Sequence, residues 1–379
     1  MIREQLTKEL IRFEKKEFPV TSVYLTLGIS TGNRKSHIVE LKKMIKYKKN
    51  TTYFKQLPEN EQSSVLADFD RILNWFNEEL DTTKALSSIC FASSGSGFWK
   101  TLNLKRPLVN ELVIQPKPYI RPLSTFFSIH RNYALILIDR TKAKIFESHI
   151  GEFTEQYTTE NAAPEPVRGA GFQGNLERKA ERNIQQTVIQ HYKQVAQQVF
   201  DFNQKKNFDW IILGGKHETI NEFRKYLHAY VASKIADDIE VESTAPLNEV
   251  LMKAQQTEIK AREEYEKKLL ADFIAKEQKN QAVEGIQAVI SKIVENWVDT
   301  LIIQEDFVHK GVFCRNDNFL SLDVTERCPI DGSSLERTND IVEQLLHIAL
   351  SQGVNVQYVK SPMDSWGKIM ATLRFSITG

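Results

Sequence analysis

The sequence predicts several α/β domains in series, and three observations predict it. Segments with apolar residues at helical spacing alternate with short β-branched runs along the chain, the pattern that packs helices onto sheets. The runs at 133–139, 210–213 and 300–303 read as buried strands between helical segments. The third observation is length: 379 residues exceed one hydrophobic core, at roughly 100 to 200 residues per domain.

In order, Leu6, Leu10, Ile11 and Phe13 suit one face of a helix, and 20–29 alternates and closes at Gly28 as a strand does. A charged helix is expected over 37–48. Phe69, Ile72, Leu73, Trp75, Phe76 and Leu80 give helical spacing over 68–80. A buried strand over 85–91 then closes on the turn Ser93-Ser94-Gly95-Ser96-Gly97. A second unit opens with the strand at 133–139 and another at 143–147. A polar, Pro-bearing loop over 155–174 and a helix over 175–202 follow. The strand at 210–213 ends at Gly214-Gly215 and leads into another helix. Strand, helix and strand in that order fit a crossover in a mainly parallel sheet.

Residues 249–279 are dense in Glu, Lys, Gln and Ala without Pro or Gly, which favours one long helix joining the second unit to a third. The third unit repeats the alternation. It has a helix over 283–295, a strand at 300–303, an irregular hairpin region over 313–335, a helix over 340–351, and strands over 354–359 and 370–377. The expected domains are 1–130, 131–272 and 273–379.

The 50 Lys and Arg nearly cancel the 49 Asp and Glu, so an RNA-binding face has to come from clustering. Cys90, Cys314 and Cys328 are too few and too scattered for a disulfide framework. No apolar run approaches the roughly 18 residues of a membrane helix, and no signal core follows Met1-Ile2-Arg3-Glu4-Gln5. The expectation is a cytoplasmic protein without a membrane partner.

The most informative stretch is Arg168-Gly169-Ala170-Gly171-Phe172-Gln173-Gly174, a Gly-rich loop with one glutamine that runs into a basic helix. It resembles an altered Gly-Gly-Gln loop of archaeal and eukaryotic peptide chain release factors. An ordered set of further segments carries the likeness across most of the chain. It includes 21–25, 86–91, 135–139, Ile212-Leu213-Gly214-Gly215, Glu284-Gly285-Ile286, 298–303, and 340–343 through 353–356. Together they resemble the archaeo-eukaryotic release factor and Pelota superfamily, most of all its bacterial branch. The resemblance implies a last domain of compact α/β/α, ribosomal-protein-like form.

It also implies binding in the ribosomal A site, against ribosomal RNA and peptidyl-tRNA, for rescue, protection or a termination-like action. A translational GTPase or another protein would dock on the C-terminal domain. In the family, the loop's glutamine positions a water and stabilises a developing oxyanion at the peptidyl-tRNA ester, which needs donors but no ionisable nucleophile. Gly171, Phe172 and Gln173 thus become the catalytic candidates, with no cofactor and no metal. Phe172 stands where the second glycine belongs. A residue with a Cβ resists positive φ, so hydrolysis is expected to be weakened. Phe172 can instead stack on a base, worth roughly 1 to 3 kcal/mol in single-strand binders.

Arg168, Gly169, Arg178, Lys179 and Arg182 correspond to positions that contact ribosomal RNA in the family, where phosphate contacts give salt-sensitive affinity. Glu177 and Glu181 are interleaved, so a solvated helix face with i,i+4 pairs remains an equal alternative. Two further functional alternatives stay open: an active peptidyl-tRNA ester hydrolase using Gln173, and an RNA-binding or scaffold protein outside the ribosome. A Gly-rich surface loop with an incidental glutamine is the plainest account of 168–174.

Other motifs carry less. Gly32-Asn33-Arg34-Lys35-Ser36 resembles a stop-codon-reading loop but precedes the first long helix instead of following it. Ser36 as a helix cap explains it more simply. Cys328-Pro329-Ile330-Asp331-Gly332 resembles half of a zinc knuckle whose second cysteine is Asp331, with Cys314 lacking a cysteine mate, and is expected to be a turn without metal. Gly214-Gly215-Lys216-His217-Glu218 lacks the spaced glycines and Lys-Ser/Thr pair of a nucleotide loop and is expected to be structural.

Overall fold

The computed structural model describes residues 9–13, 17–27, 36–81, 85–149, 152–160, 174–242 and 245–377, with backbone alone at 149, 152 and 174–181. Contacts divide the chain into two compact units, one of residues 1–129 with 266–379 and one of residues 130–265. The mixed α/β class expected from the alternation is the class observed, with three larger sheets and one small one.

In the first unit, strands β1 (Val20–Thr26), β2 (Ser87–Ser93), β3 (Phe98–Leu104) and β4 (Glu111–Gln115) form an antiparallel sheet in the order β3-β2-β1-β4. Alternation puts Val23, Leu25, Cys90, Ala92, Leu112 and Ile114 on one face. Helices α1 (Ser36–Lys49), α2 (Thr52–Gln56) and α3 (Glu59–Asn74) cover it with Leu41, Phe54, Phe69 and Ile72. The helix expected to begin at 68 begins at Glu59. Its first five residues, Glu59 to Ser63, are polar and none is buried, so the apolar period starts only at Val65 although Pro58 already marks the boundary. It ends in a π turn, Trp75–Glu79.

The same unit holds the sheet of β10 (Ala282–Glu284), β11 (Val298–Gln304), β15 (Asn355–Val359) and β16 (Ile369–Leu373), in the order β10-β16-β11-β15. Only the β11–β15 pair is parallel. Helices Ile286–Val294 and Ile341–Ser351 pack Val289, Ile293, Leu345 and Ile348 against Leu301 and Ile303. The irregular region over 313–335 resolves into a small sheet of β12 (Gly311–Phe313), β13 (Leu320–Ser321) and β14 (Glu336–Thr338), joined by long turns.

The second unit carries β5 (Tyr133–Ile138), β6 (Lys142–His149), β7 (Glu152–Glu160), β8 (Trp210–Gly215) and β9 (Ile235–Glu240), in the order β7-β6-β5-β8-β9. β5, β8 and β9 are parallel neighbours, as the crossover pattern required, whereas β6 and β7 extend the sheet by antiparallel hairpin. β7 occupies the start of the stretch expected to be loop. It sets one partly buried aromatic on each face, Phe153 and Tyr157, among Glu, Gln and Thr, so it lacks the one-sided apolar period. The long helix expected over 249–279 is observed at Leu247–Glu277. Among the described residues no helix is long and apolar enough to cross a membrane.

Candidate functional site

Helix Gly174–Lys206 is the crossover between β5 and β8, and it begins where the Gly-rich loop ends. Gly171, Phe172 and Gln173, with Arg168 and Gly169, lie outside the described residues. Arg178 and Lys179 fall in the helix's first two turns, and Arg182 follows on the third, exposed.

The helix is held by its later half. Tyr192, Val195, Ala196 and Val199 are buried against Ala134, Ile136, Ile145, Ile211 and Leu213 on one face of the sheet. Between 182 and 190 no residue is fully buried, and Val188 is the earliest described residue packed on that core. At about 1.5 Å per residue, roughly 21 Å of helix separates Gly174 from Val188. Arg182 thus lies on a stretch, 182–187, whose described residues add nothing to that core.

His191 locks the helix where burial begins. Burial pushes its pKa below the ordinary 6.5, against hydrogen bonds to the backbone of Lys142 and Asp139 in the β5–β6 turn. The next residue, Tyr192, is raised by burial and packs its ring edge-on to Phe223 at 5.9 Å between centroids. Sequence reasoning missed His191, since a histidine beside an apolar stripe has no distinguishing spacing.

Gly214 and Gly215 are explained by the sheet. A Cβ on Gly214 would meet Leu137 Cδ2 at 2.6 Å, and one on Gly215 would collide with the Ile138 carbonyl oxygen. The pair therefore permits β8 to close on β5, with no phosphate chemistry needed. His217 and Glu218 are both exposed, and His217 Nδ1 lies 3.1 Å from Asn221 Nδ2 one turn on. Residues 32–35 of the basic loop lie outside the described residues, and Ser36 is the first residue of its helix. Cys328 and Asp331 are brought beside Cys314, together with Asp317, which sequence reasoning did not single out because only Cys and His mates were considered.

The sequence profile of bacterial archaeo-eukaryotic release factor family 10 matches residues 118–258, a range that takes in β5 to β9, the Gly-rich loop and the crossover helix. Peptide chain release factor subunit 1 of Methanocaldococcus jannaschii aligns over 99% of this chain and 97% of its own, at 24% identity. What this chain is similar to, by profile and by sequence, is thus the archaeo-eukaryotic release factors. The same release factor subunit from Methanococcoides burtonii is 24% identical over 68% of this chain and 69% of its own. Among solved structures, the archaeal translation termination factor aRF1 is similar over 98% of this chain and 97% of its own, at 16% identity and a TM-score of 0.28. Archaeal Pelota, from a model bound to the ribosome with ABCE1, is similar over 77% of this chain and 78% of its own, at 13% identity and a TM-score of 0.43. Within the superfamily frame, the match to family 10 coincides with the part of this chain where the loop and basic helix are legible.

Proposed function

We propose that this chain is a cytoplasmic translation factor that enters the ribosomal A site and acts in rescue, protection or a termination-like step, with peptidyl-tRNA hydrolysis weakened by Phe172. The observation that carries this is the co-linear likeness to an archaeal peptide chain release factor subunit over 99% of the chain. We divide the chain at 1–130, 131–272 and 273–379. The first segment would face the decoding centre, the second the peptidyl transferase centre, and the third a translational GTPase or other partner.

The chemistry follows from the loop. Gly169, Gly171 and Gln173 stand at motif positions, so the amide that positions water is retained. Phe172 supplies a Cβ and a ring where the motif has a bare backbone, which opposes the tight approach to RNA and favours stacking. Arg168, Arg178, Lys179 and Arg182 would carry phosphate contacts, the last three from the crossover helix.

The test is single-turnover peptide release from ribosomes holding peptidyl-tRNA, with the A site empty or bearing each stop codon, alongside pelleting with the same ribosomes. We expect binding with little release. Release that falls about 10²- to 10³-fold in Gln173→Ala, as for loss of an oxyanion donor, would instead establish the active hydrolase. Absence of pelleting, stalled ribosomes included, would overturn the proposal in favour of an RNA-binding or scaffold role elsewhere.

A further inference from the structure

We propose that the crevice at the carboxyl ends of β5 and β8 binds a zwitterionic small molecule, an α-amino acid with an aliphatic side chain of about four carbons. The crevice lies wholly within residues 130–265, and binding there does not depend on the proposed action on the ribosome. Its enclosed part, the niche, has a volume of about 90 Å³. That size falls between the roughly 10 to 15 Å³ that one water needs and the roughly 150 Å³ that takes benzene, so a short branched aliphatic group fits.

The sheet and the helix beside it make the niche apolar. Leu137 near the end of β5 and Val241 just past β9 form its sides, and Ala245 and Val250, at the entry to helix Leu247–Glu277, close it. Gly214 contributes bare backbone, because a Cβ there would meet Leu137 Cδ2 at 2.6 Å. Aliphatic surface brought into such a space from water is stabilised by its burial.

Two side chains of opposite charge stand where the niche opens into a wider crevice. Lys216 follows Gly215 at the end of β8, Glu242 follows Val241, and both line the niche as well as the crevice outside it. A hydrogen bond from Val241 N to Gly215 O, at 3.3 Å, holds their backbones side by side. Among the described residues, however, neither the Lys216 ammonium nor the Glu242 carboxylate has an ion-pair or hydrogen-bond partner. The neighbouring cations are consumed: Lys142 pairs with Glu160, Lys144 with Glu155 at 3.8 Å and Lys253 with Glu249 at 3.2 Å. Asp139 is turned back on its own turn, where Oδ1 accepts from Arg140 N at 2.7 Å.

This pattern selects the ligand. An α-amino acid carries carboxylate, ammonium and side chain on one carbon. With the side chain in the niche, its carboxylate reaches Lys216 and its ammonium reaches Glu242, as charge-assisted hydrogen bonds. A simple anion would leave Glu242 facing it, and a simple cation would leave Lys216. Glu218 and Glu240, both exposed on the outer crevice, add to the negative side and oppose a phosphate. The wall from Asp139 to Lys142 is also the turn whose backbone holds His191, so a ligand there steadies the footing of the crossover helix.

The experiment uses the full chain without ribosomes and follows leucine, glycine and tryptophan by ligand-observed NMR titration. We expect saturable binding of leucine at millimolar concentration or below, at least about 10-fold tighter than glycine, which leaves the niche empty. Tryptophan, too large for the niche, should bind no better than glycine. Leucinamide and isocaproate each lack one charge of leucine and should bind about 10-fold more weakly. Lys216→Met keeps the alkyl stem and should erase the preference for leucine over leucinamide, whereas Glu242→Gln should erase that over isocaproate. Both positions are exposed, and an unchanged unfolding midpoint separates a lost contact from a misfolded variant. Saturating leucine should also raise hydrogen-exchange protection of amides 192–199, and binding without that gain would overturn the link to the helix. A wild-type chain that shows no saturable binding of leucine, or binds it no tighter than its two analogues, overturns the site.

Discussion

Helices Gly174–Lys206 and Ile341–Ser351 both carry charged residues, and they use them in opposite ways. The first has Arg182 exposed and no fully buried residue from 182 to 190. In the second, every residue from Ile341 to Ala349 is buried, including Glu343, Gln344 and His347. Those buried polar groups are already engaged. Glu343 accepts from Ile120 N at 2.8 Å and Arg121 N at 3.0 Å, so its carboxylate caps helix Arg121–Ile129 from more than 200 residues away in sequence. His347 Nε2 lies 2.8 Å from the Pro118 carbonyl, while the Arg121 guanidinium pairs with Asp340 and donates to Phe307 O. The difference teaches that charge predicts a binding role only where the helix beneath it is not consumed by packing.

The sharpest way to test that contrast is to remove the buried carboxylate. Glu343→Ala strands two backbone donors beside Arg121 and should cost about 3 to 5 kcal/mol, the range for breaking a buried charged pair. Glu343→Gln keeps one acceptor and should cost less than half as much. Urea unfolding followed by tryptophan fluorescence reads both. A loss under about 1 kcal/mol for the alanine variant would mean that these groups are resolvated, and the distinction between the two helices would fail.

A smaller effect is expected where the crossover helix meets its sheet. His191 has a folded-state pKa lowered by burial, so at pH above about 6.5 it is neutral in both states and its contribution is complete. As pH falls below 6.5 the unfolded chain takes up the proton first, and stability is lost progressively toward the lower folded-state pKa. His37, also lowered by burial, adds the same sign elsewhere in the chain, so the readout has to be local. Hydrogen exchange of amides 192–199 should lose protection between pH 7 and 5.5 after correction for intrinsic rates. His191→Gln, which keeps a donor but does not titrate, should flatten that loss. An unchanged slope in the variant would place the acid sensitivity of this helix in other groups.

How much of this was legible in the sequence depended on whether the determinant was local. The strands Tyr133–Ile138 and Trp210–Gly215, and residues 301–303 within Val298–Gln304, were legible because burial on both faces writes an unbroken apolar run. Edge strand β7 was not, because it sets a single aromatic on each face, Phe153 and Tyr157, among polar residues. The Gly-rich loop was legible as a motif, yet what anchors its helix was not, since His191 gains its role only from backbone groups some fifty residues earlier. Asp317 went unnoticed because a carboxylate three residues past a single cysteine becomes a candidate ligand only when a second such turn folds beside it. Nothing in the spacing of Arg121 and Glu343 announces their meeting.

The smallest expected change in stability comes from the basic positions themselves, and it is the one that bears on function. Arg182 is exposed, and replacing it with alanine, alone or with Arg178 and Lys179, should alter unfolding free energy by no more than about 0.5 kcal/mol. Ribosome pelleting should respond quite differently. If these residues neutralise phosphates, each lost contact lowers the slope of log affinity against log salt by about 0.7 to 0.9, and the triple variant should bind more weakly at moderate salt. A charge-conserving Arg182→Lys should restore most of the slope, because a phosphate contact of this kind needs charge more than fork geometry. Should the triple variant pellet with an unchanged salt slope, Glu177 and Glu181 are the natural partners of these cations, and the exposed helix would be as self-contained as the buried one.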